Sequence, residues 1–204
     1  MTFLDTDTLN RAPIAATDAV GLLEMADANL LARASQLRDQ GHGRLISYSR
    51  KVFIPLTELC RDVCHYCTFA KTPRHIEQAY MSVEQVLELC RQGAELGCQE
   101  ALLTLGEKPE LRYKAAREAL QDMGFTTTIE YVTHIARCIL KETGILPHIN
   151  AGNMDAGEMA ELRKVSASMG IMLESASSRL CEKGMPHYGS PDKDPATRLE
   201  TIAL

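Results

Sequence analysis

The hydrophobic and polar positions of the chain follow a regular pattern, in which short apolar runs are followed by longer amphipathic stretches. A short apolar run is typical of a buried strand, and apolar residues every three or four positions are typical of a helix. Repetition of the two predicts βα units around a parallel sheet, so we expect an α/β fold. The predicted strands are Val52 to Thr57, Glu100 to Leu105, Thr127 to Val132, Pro147 to Asn150 and Gly170 to Glu174.

Capping residues mark where two of the helices between these strands begin. Ser82 is followed three positions later by Gln85, which forms a capping box, and the helix that it opens is expected to end near Gly97. Asp155 and Glu158 open a second helix in the same way. These helices would connect the strands of the predicted sheet.

The two ends of the chain are also predicted to be helical. One helix, from about Thr17 to Leu37, precedes the first strand, and another begins near Asp194. No internal repeat and no low-complexity linker is visible in the sequence. We therefore predict an N-terminal helical extension over residues 1–50 and one α/β core over residues 51–204.

Five strands are too few to close a barrel. A TIM-type (β/α)8 barrel usually takes about 250 residues, whereas this chain has 204, and an open fifth strand would leave an unpaired sheet edge. We therefore expect a partial TIM-type (β/α) barrel, truncated after the fifth βα unit. The remaining strands and some of the substrate contacts would belong to a longer protein.

Composition and charge argue against several classes of function. An apolar content of 45% can form a core, and 24% of the residues are charged. The net charge of -5 is spread along the chain, so no basic patch favours nucleic acid and no polybasic helix favours a membrane. The N-terminus lacks the apolar run of a signal peptide, and we expect a cytoplasmic protein. Seven cysteines, an odd number, fit reduced thiols better than a disulfide framework.

The most informative motif is CRDVCHYC, which places Cys60, Cys64 and Cys67 directly after the first predicted strand. Closely spaced thiolates can converge on one Fe–S cube, and three ligands leave one of its four irons open for chemistry. The CxxC pair within the motif is also compatible with a redox couple or with half of a zinc site. A zinc site would need a fourth ligand such as His65, Cys90 or Cys98.

The C-x3-C-x2-C spacing, with Tyr66 before the last cysteine, resembles the radical S-adenosylmethionine (radical SAM) signature. Further stretches narrow the resemblance to the 7,8-didemethyl-8-hydroxy-5-deazariboflavin (FO) synthase family, as its first subunit or N-terminal half. HYGSPDKDP and TLGEKPE are the stretches most specific to this branch. The similar segments, which span residues 52–198, are VFIPLTELCRDVCHYCTFAKTP, QEALLTLGEKPE, ILPHINAGNM, GIMLESAS and HYGSPDKDPATR.

The resemblance implies two cofactors, a 4Fe-4S cluster held by Cys60, Cys64 and Cys67 and S-adenosyl-L-methionine chelated at its open iron. One-electron cleavage of S-adenosylmethionine would give a radical that abstracts hydrogen from a tyrosine-derived adduct of 5-amino-6-ribitylaminouracil. Ring closure with loss of ammonia would then form the deazaflavin chromophore, which makes the expected enzyme a lyase. An electron donor and a second synthase subunit or fused module would be the partners.

The resemblance also assigns binding residues at the carboxyl ends of the strands, where parallel βα folds carry their sites. The loop of Gly106 and Glu107 would receive the amino group of the methionine moiety, and Tyr66 would flank the adenine. Asn150 and Glu174 would bring polar groups to the coenzyme, with Glu174 on its polar part, and Arg198 would pair with its carboxylate. On sequence alone, Asn150 could instead cap a turn and Arg198 could be a solvated helix residue. Residues that could meet an aromatic substrate are Tyr80, Tyr131, His187 and Tyr188.

Other functions remain open at the level of sequence. The chain could be the partner synthase subunit or an aminofutalosine-type radical SAM enzyme, although HYGSPDKDP favours the first subunit. A hypothesis from another class is a non-catalytic Fe–S or zinc-binding fragment. It would bind metal through the three cysteines without cleaving S-adenosylmethionine.

Overall fold

The computed structural model of the chain describes residues 16–204, which fall into two compact units that divide after Tyr48. The first unit contains two helices, α1 (Ala16–Leu23) and α2 (Asp27–His42). Residues 1–15 of the predicted N-terminal extension lie outside the described residues.

The prediction of one continuous helix from Thr17 to Leu37 is wrong. The chain turns after α1, where the Met25 amide donates to the Leu22 carbonyl at 3.3 Å. Ala26 then takes an extended conformation, with φ −59° and ψ 137°, which cannot continue a helix. A second helix therefore begins at Asp27, whose carboxylate lies favourably in the first turn.

The second unit is built on a parallel sheet, which confirms the predicted α/β fold class. Its strands are β1 (Lys51–Pro55), β2 (Glu100–Thr104), β3 (Leu146–Asn150) and β4 (Ser168–Met169), and they lie in the order β1-β2-β3-β4. In the register, Pro55 pairs with Thr104, and Thr104 pairs with Asn150. The first three strands therefore end level with one another, and the loops that follow them meet at one edge.

Five helices connect or follow these strands. The capping boxes predicted at Ser82 and Asp155 are confirmed, since both have the reciprocal side-chain and backbone hydrogen bonds. The core lies between the sheet and the helices, and its fully buried side chains include Ile54, Leu103 and Ile149 from the strands. The helices are α3 (Val83–Glu95), α4 (Lys114–Asp122), α5 (Thr128–Thr143), α6 (Ala156–Arg163) and α7 (Pro195–Ala203).

The prediction of a strand from Thr127 to Val132 is wrong, because this segment opens helix α5. The run is rich in β-branched residues, which favours a strand by local propensity. However, the Thr127 side chain accepts from the Glu130 amide, and Glu130 reciprocates in a capping box. The buried positions continue at helical spacing through Ile135 and Ile139. Burial of this face against the core outweighs the propensity of its first turn.

The strand predicted from Gly170 to Glu174 is also displaced. The strand observed here is β4, which pairs with β3 just before the predicted segment. Within that segment, the Gly170 amide donates one further hydrogen bond to the Ile149 carbonyl at 2.9 Å. Glu174 has φ +64°, a left-handed conformation that a strand cannot contain. The described residues thus contain four strands and not the five that were expected.

None of the helices within residues 16–204 is both long enough and apolar enough to cross a membrane.

Candidate functional site

The cysteine motif lies on a loop that is fixed at its base. Leu56 and Leu59 are completely buried immediately after β1. The Thr57 hydroxyl accepts from the Leu59 amide at 3.1 Å and donates to the Ala79 carbonyl at 2.7 Å. The Lys71 amide then donates to the Glu58 carbonyl at 2.8 Å, so that the end of the loop returns to its start. The motif is therefore presented by an anchored loop.

The three thiols face one cavity of about 230 Å³ at the carboxyl edge of the sheet. Burial raises the pKa of the Cys60 thiol to about 11, although amide hydrogen bonds oppose the shift. A metal that binds there would have to displace the proton. Within residues 16–204, no group of three or more His, Cys, Asp or Glu side chains is arranged around a single ion. A four-iron cube instead offers each thiolate its own corner, so the thiols need only face the same space.

Gly106, directly after β2, packs against the cysteine loop. A Cβ atom at this position would lie 1.9 Å from the Leu59 carbonyl oxygen and 2.9 Å from the Cys60 Cα, so no larger residue fits. The neighbouring backbone completes the contact, because the Glu107 amide donates to Cys60 Sγ at 3.2 Å and the Arg61 amide donates to the Glu107 carbonyl at 2.8 Å. Glycine here thus allows two backbone segments to approach each other.

Glu107 and Arg198 form a buried ion pair behind the cavity. Oε2 of Glu107 lies 3.0 Å from Nη2 of Arg198, and the two side chains are 5% and 4% exposed. Oε1 accepts from the Asn153 amide at 2.7 Å. Burial raises the pKa of Glu107 to about 7 in spite of the adjacent guanidinium. Gly152, with φ +83°, makes room for this carboxylate, since a Cβ atom there would lie 1.9 Å from Oε2.

Arg198, which was expected to meet a ligand carboxylate, is thus already held by the protein. Besides the Glu107 pair, its Nε donates to the Asp192 carbonyl at 2.9 Å. Its Nη1 makes no hydrogen bond to the described residues, and Arg198 lines the cavity. A ligand carboxylate would have to be met by the outer part of the guanidinium.

The segment of residues 186–193, here called the clasp segment, holds the cysteine loop from the other side. The His65 amide donates to the Pro186 carbonyl at 2.9 Å. The Val63 amide donates to the Ser190 hydroxyl at 3.0 Å. The Asp192 amide donates to Oδ1 of Asp62 at 3.1 Å. Loop and clasp segment are remote in sequence, so these contacts depend on the folded sheet and helices.

Tyr66 and Glu174 lie at the rim of the cavity and are oriented by partners in the clasp segment. The Tyr66 hydroxyl is 3.0 Å from Nε2 of His187, and burial together with nearby negative charge raises the Tyr66 pKa. Glu174 accepts from Nζ of Lys193 at 2.9 Å, a hydrogen bond that lowers its pKa. Asn150, the last residue of β3, lines the same cavity.

All nine residues predicted from the sequence line this cavity, but their roles as ligands stay predictions. Of the aromatic candidates, Tyr131 is buried in the core, where its hydroxyl donates to the Met81 carbonyl at 2.7 Å. Tyr80 packs edge-on against Tyr131 with ring centroids 5.8 Å apart. His187 contacts Tyr66 at the rim. The two core tyrosines are therefore not part of the cavity lining.

Sequence reasoning missed several polar residues that shape the site. Asp62, Asp192 and Asn153 are buried, and each has one side-chain oxygen without a hydrogen-bond partner among the described residues. All three lie within the stretches that resemble the synthase family, which was the signal that could have found them. Nothing in the neighbouring sequence showed that they would be buried. The missed residues are Asp62, Gly152, Asn153, Ser190, Asp192 and Lys193.

The chain is similar in sequence to known proteins. The family model of the radical SAM superfamily matches residues 54–203. An FO synthase of Mycobacterium tuberculosis is 50% identical over 190 residues, which cover 86% of this chain and 22% of that protein. A 7,8-didemethyl-8-hydroxy-5-deazariboflavin synthase of Methanopyrus kandleri is 46% identical over 158 residues, which cover 78% of this chain and 47% of that protein. The chain thus spans about a fifth to a half of the length of these relatives.

Solved structures show the same fold. The crystal structure of methylornithine synthase (PylB) matches with a TM-score of 0.68 and 19% identity, covering 98% of this chain and 55% of that one. The hydrogenase maturase HydG of Carboxydothermus hydrogenoformans matches with a TM-score of 0.66 and 20% identity, covering 87% and 37%. These likenesses confirm the predicted fold class, a partial TIM-type (β/α) barrel.

Proposed function

The chain belongs to the radical SAM superfamily, and we propose that its cavity binds a 4Fe-4S cluster through Cys60, Cys64 and Cys67 beside S-adenosylmethionine. The observation that carries this proposal is that all three thiols line one cavity together with carboxylate, amide and guanidinium groups. Thiolates are the ligands that Fe–S clusters prefer. The polar groups suit the amino acid and ribose parts of the coenzyme, so the residues present fit both cofactors.

The cluster, when bound, would supply the electron for reductive cleavage of S-adenosylmethionine, and this cleavage would supply the radical that abstracts hydrogen. The part of the protein is to hold and orient these groups and to exclude water. The Glu107 and Ala70 amides, which lie 3.2 and 3.4 Å from Cys60 Sγ and Cys67 Sγ, would stabilise these sulfurs as thiolates when the cluster is bound. We assign Tyr66 to the adenine, Gly106 and Glu107 to the methionine amino group, and Asn150 and Glu174 to the polar part of the coenzyme.

We propose further that the substrate is the tyrosine-derived adduct of 5-amino-6-ribitylaminouracil and the product 7,8-didemethyl-8-hydroxy-5-deazariboflavin. The support is the 46–50% identity to the two named synthases. The enzyme would be a lyase that releases ammonia, and it would need an electron donor. Since the chain covers only part of these relatives, a second synthase subunit or fused module would complete the activity.

Within the chain, we propose that residues 51–204 are the catalytic core, because all nine candidate residues lie there, and that the described part of residues 1–50 is a helical extension. The seven cysteines are all free. Free thiols beside a cluster site support a cytoplasmic location, where thiols are kept reduced.

The test uses full-length protein reconstituted anaerobically with iron and sulfide. We would reduce it, add S-adenosylmethionine, and measure iron content, 5'-deoxyadenosine and fluorescent deazaflavin, with and without tyrosine, ribitylaminouracil and the partner synthase. Cys64→Ala should lose the cluster and the 5'-deoxyadenosine. Cys98→Ala is the matched control, because Cys98 is a free cysteine outside the cavity lining.

Each outcome of this test has a definite meaning. Formation of 5'-deoxyadenosine that the substrates stimulate, with deazaflavin alongside, would support the whole proposal. Cleavage without deazaflavin would keep the radical chemistry and refute the substrate. Bound metal without any cleavage would refute the enzyme and favour a structural Fe–S or zinc site.

A further inference from the structure

Each of the three cysteine sulfurs has a hydrogen-bond contact with a residue outside the motif, and these three contacts are not of the same kind. Cys60 Sγ accepts from the Glu107 amide at 3.2 Å, and Cys67 Sγ accepts from the Ala70 amide at 3.4 Å. The partner of Cys64 Sγ is instead a side chain, the Ser190 hydroxyl, at 3.5 Å. Among these contacts, it is therefore the one that a substitution can remove directly.

Either atom of this contact could donate while Cys64 is a thiol, and the surroundings of Ser190 leave its hydroxyl able to donate. The residue is 4% exposed, so its hydroxyl is shielded from water. Its oxygen accepts from the Val63 amide at 3.0 Å, which leaves its own proton to be donated elsewhere. The other hydrogen-bond contact of this hydroxyl among residues 16–204 is Cys64 Sγ. A thiolate that binds iron carries no proton, so in that state Ser190 must be the donor.

The clasp segment keeps the hydroxyl in place. The Ser190 amide donates to the His187 carbonyl at 2.9 Å, and the Lys193 amide donates to the Ser190 carbonyl at 3.1 Å. On either side, the clasp segment is joined to the backbone amide of His65 through the Pro186 carbonyl and to the carboxylate of Asp62 through the Asp192 amide. Ser190 is therefore held on both flanks against the loop whose cysteine it contacts.

We propose that Ser190 is a positioning residue that orients the Cys64 thiolate and raises the reduction potential of the cluster bound there. This inference rests on the proposed function, because it requires a cluster on the three cysteines. Reduction adds negative charge to the cluster and its sulfurs, so a hydrogen bond to a ligand sulfur stabilises the reduced state more than the oxidised one. The loss of the hydroxyl would therefore make the cluster harder to reduce.

The test is a potentiometric titration of the reconstituted full-length protein, followed by electron paramagnetic resonance without S-adenosylmethionine. Iron content is measured on the same samples. In Ser190→Ala we expect the ratio of reduced to oxidised cluster at a fixed potential to fall by up to about tenfold, a shift of about 59 mV to lower potential. Ser190→Thr keeps the hydroxyl and should restore the wild-type potential. Ser178→Ala, at an exposed serine, is the matched control and should have no effect.

Several outcomes would overturn the proposal. One is a Ser190→Ala protein with full iron content and an unchanged potential. Another is a Ser190→Thr protein that behaves like Ser190→Ala, whether in potential or in iron loss, since the hydroxyl would then not be the group that matters. Failure of the proposed cluster site is distinguishable from both, because in that case the wild-type protein would hold no cluster. A wild-type cluster that does not cleave S-adenosylmethionine would refute the proposed enzyme, and its reduction potential would still test the role of Ser190.

Discussion

Arg198→Met tests the buried ion pair behind the cavity. The substitution removes the guanidinium 3.0 Å from Glu107 Oε2 and leaves the carboxylate with the Asn153 amide as its partner. Both side chains of the pair are at most 5% exposed, so water cannot replace the lost charge. Removal of one partner of a buried pair typically costs about 3–5 kcal/mol, because it leaves an uncompensated charge.

The cost should depend on pH in a definite direction. The folded-state pKa of Glu107 is raised from 4.5 to about 7, so the folded protein holds a proton there that the unfolded chain has lost, and its stability falls as pH rises through this window. Without the guanidinium the pKa rises further, and in Arg198→Met the fall continues above pH 7. We expect a small loss at pH 6, where the carboxyl is neutral in both proteins. At pH 9 the loss should be larger by up to about 3 kcal/mol, because each of the two pH units above the wild-type pKa of about 7 is worth about 1.4 kcal/mol.

The measurement is urea unfolding of the metal-free, reduced chain at pH 6, 7, 8 and 9, followed by circular dichroism. Arg179→Met, at an exposed arginine, is the control and should stay within about 0.5 kcal/mol of the wild type. In a Glu107→Gln background the pH-dependent part of the loss should disappear, because glutamine does not titrate. An equal loss at pH 6 and pH 9, or a pH dependence that persists in the Glu107→Gln background, would refute the reasoning about the pair.

Two further substitutions test how the loops are built. Gly106→Ala would place a Cβ atom 1.9 Å from the Leu59 carbonyl oxygen, so we expect a lower melting temperature and loss of iron binding. Gly41→Ala, in helix α2 with open space around it, should melt no lower than the wild type. Thr127→Ala removes the cap of α5 and should lower the free energy of unfolding by about 1 kcal/mol in urea titrations. Thr126→Ala, which removes no capping side chain, should change it far less.

Sequence-based prediction succeeded where the interacting residues are close together in the sequence and failed where they are not. The capping boxes at Ser82 and Asp155 were predictable, because both partners lie within one helical turn. The start of α5 was assigned to a strand, because its β-branched residues dominate a short window, while the apolar positions that favour a helix extend as far as Ile139. The end of the predicted fifth strand failed because Glu174 adopts a left-handed conformation that its residue type does not suggest.

The candidate site also combines features that are local in the sequence with contacts that are not. The spacing of the three cysteines is local, and it predicted where thiols would face a common cavity. The groups that hold the cysteine loop come from distant parts of the chain, since Ser190 contacts Cys64 across 126 positions and Asp192 contacts Asp62 across 130. Such contacts arise only after the parallel sheet has brought the strand ends together, and no short window of sequence contains them.

The long-range contacts also explain why a carboxylate as costly as Glu107 is buried beside the cavity. Its side chain joins the Asn153 amide of the loop after β3 to Arg198 of α7, and its backbone amide contacts Cys60. Arg198 in turn holds the carbonyl of Asp192 in the clasp segment. One charged pair therefore connects three loops and the last helix to the cysteine motif. Because a buried charge costs free energy unless every partner is in place, the pair favours the single arrangement in which the thiolates and the clasp segment meet.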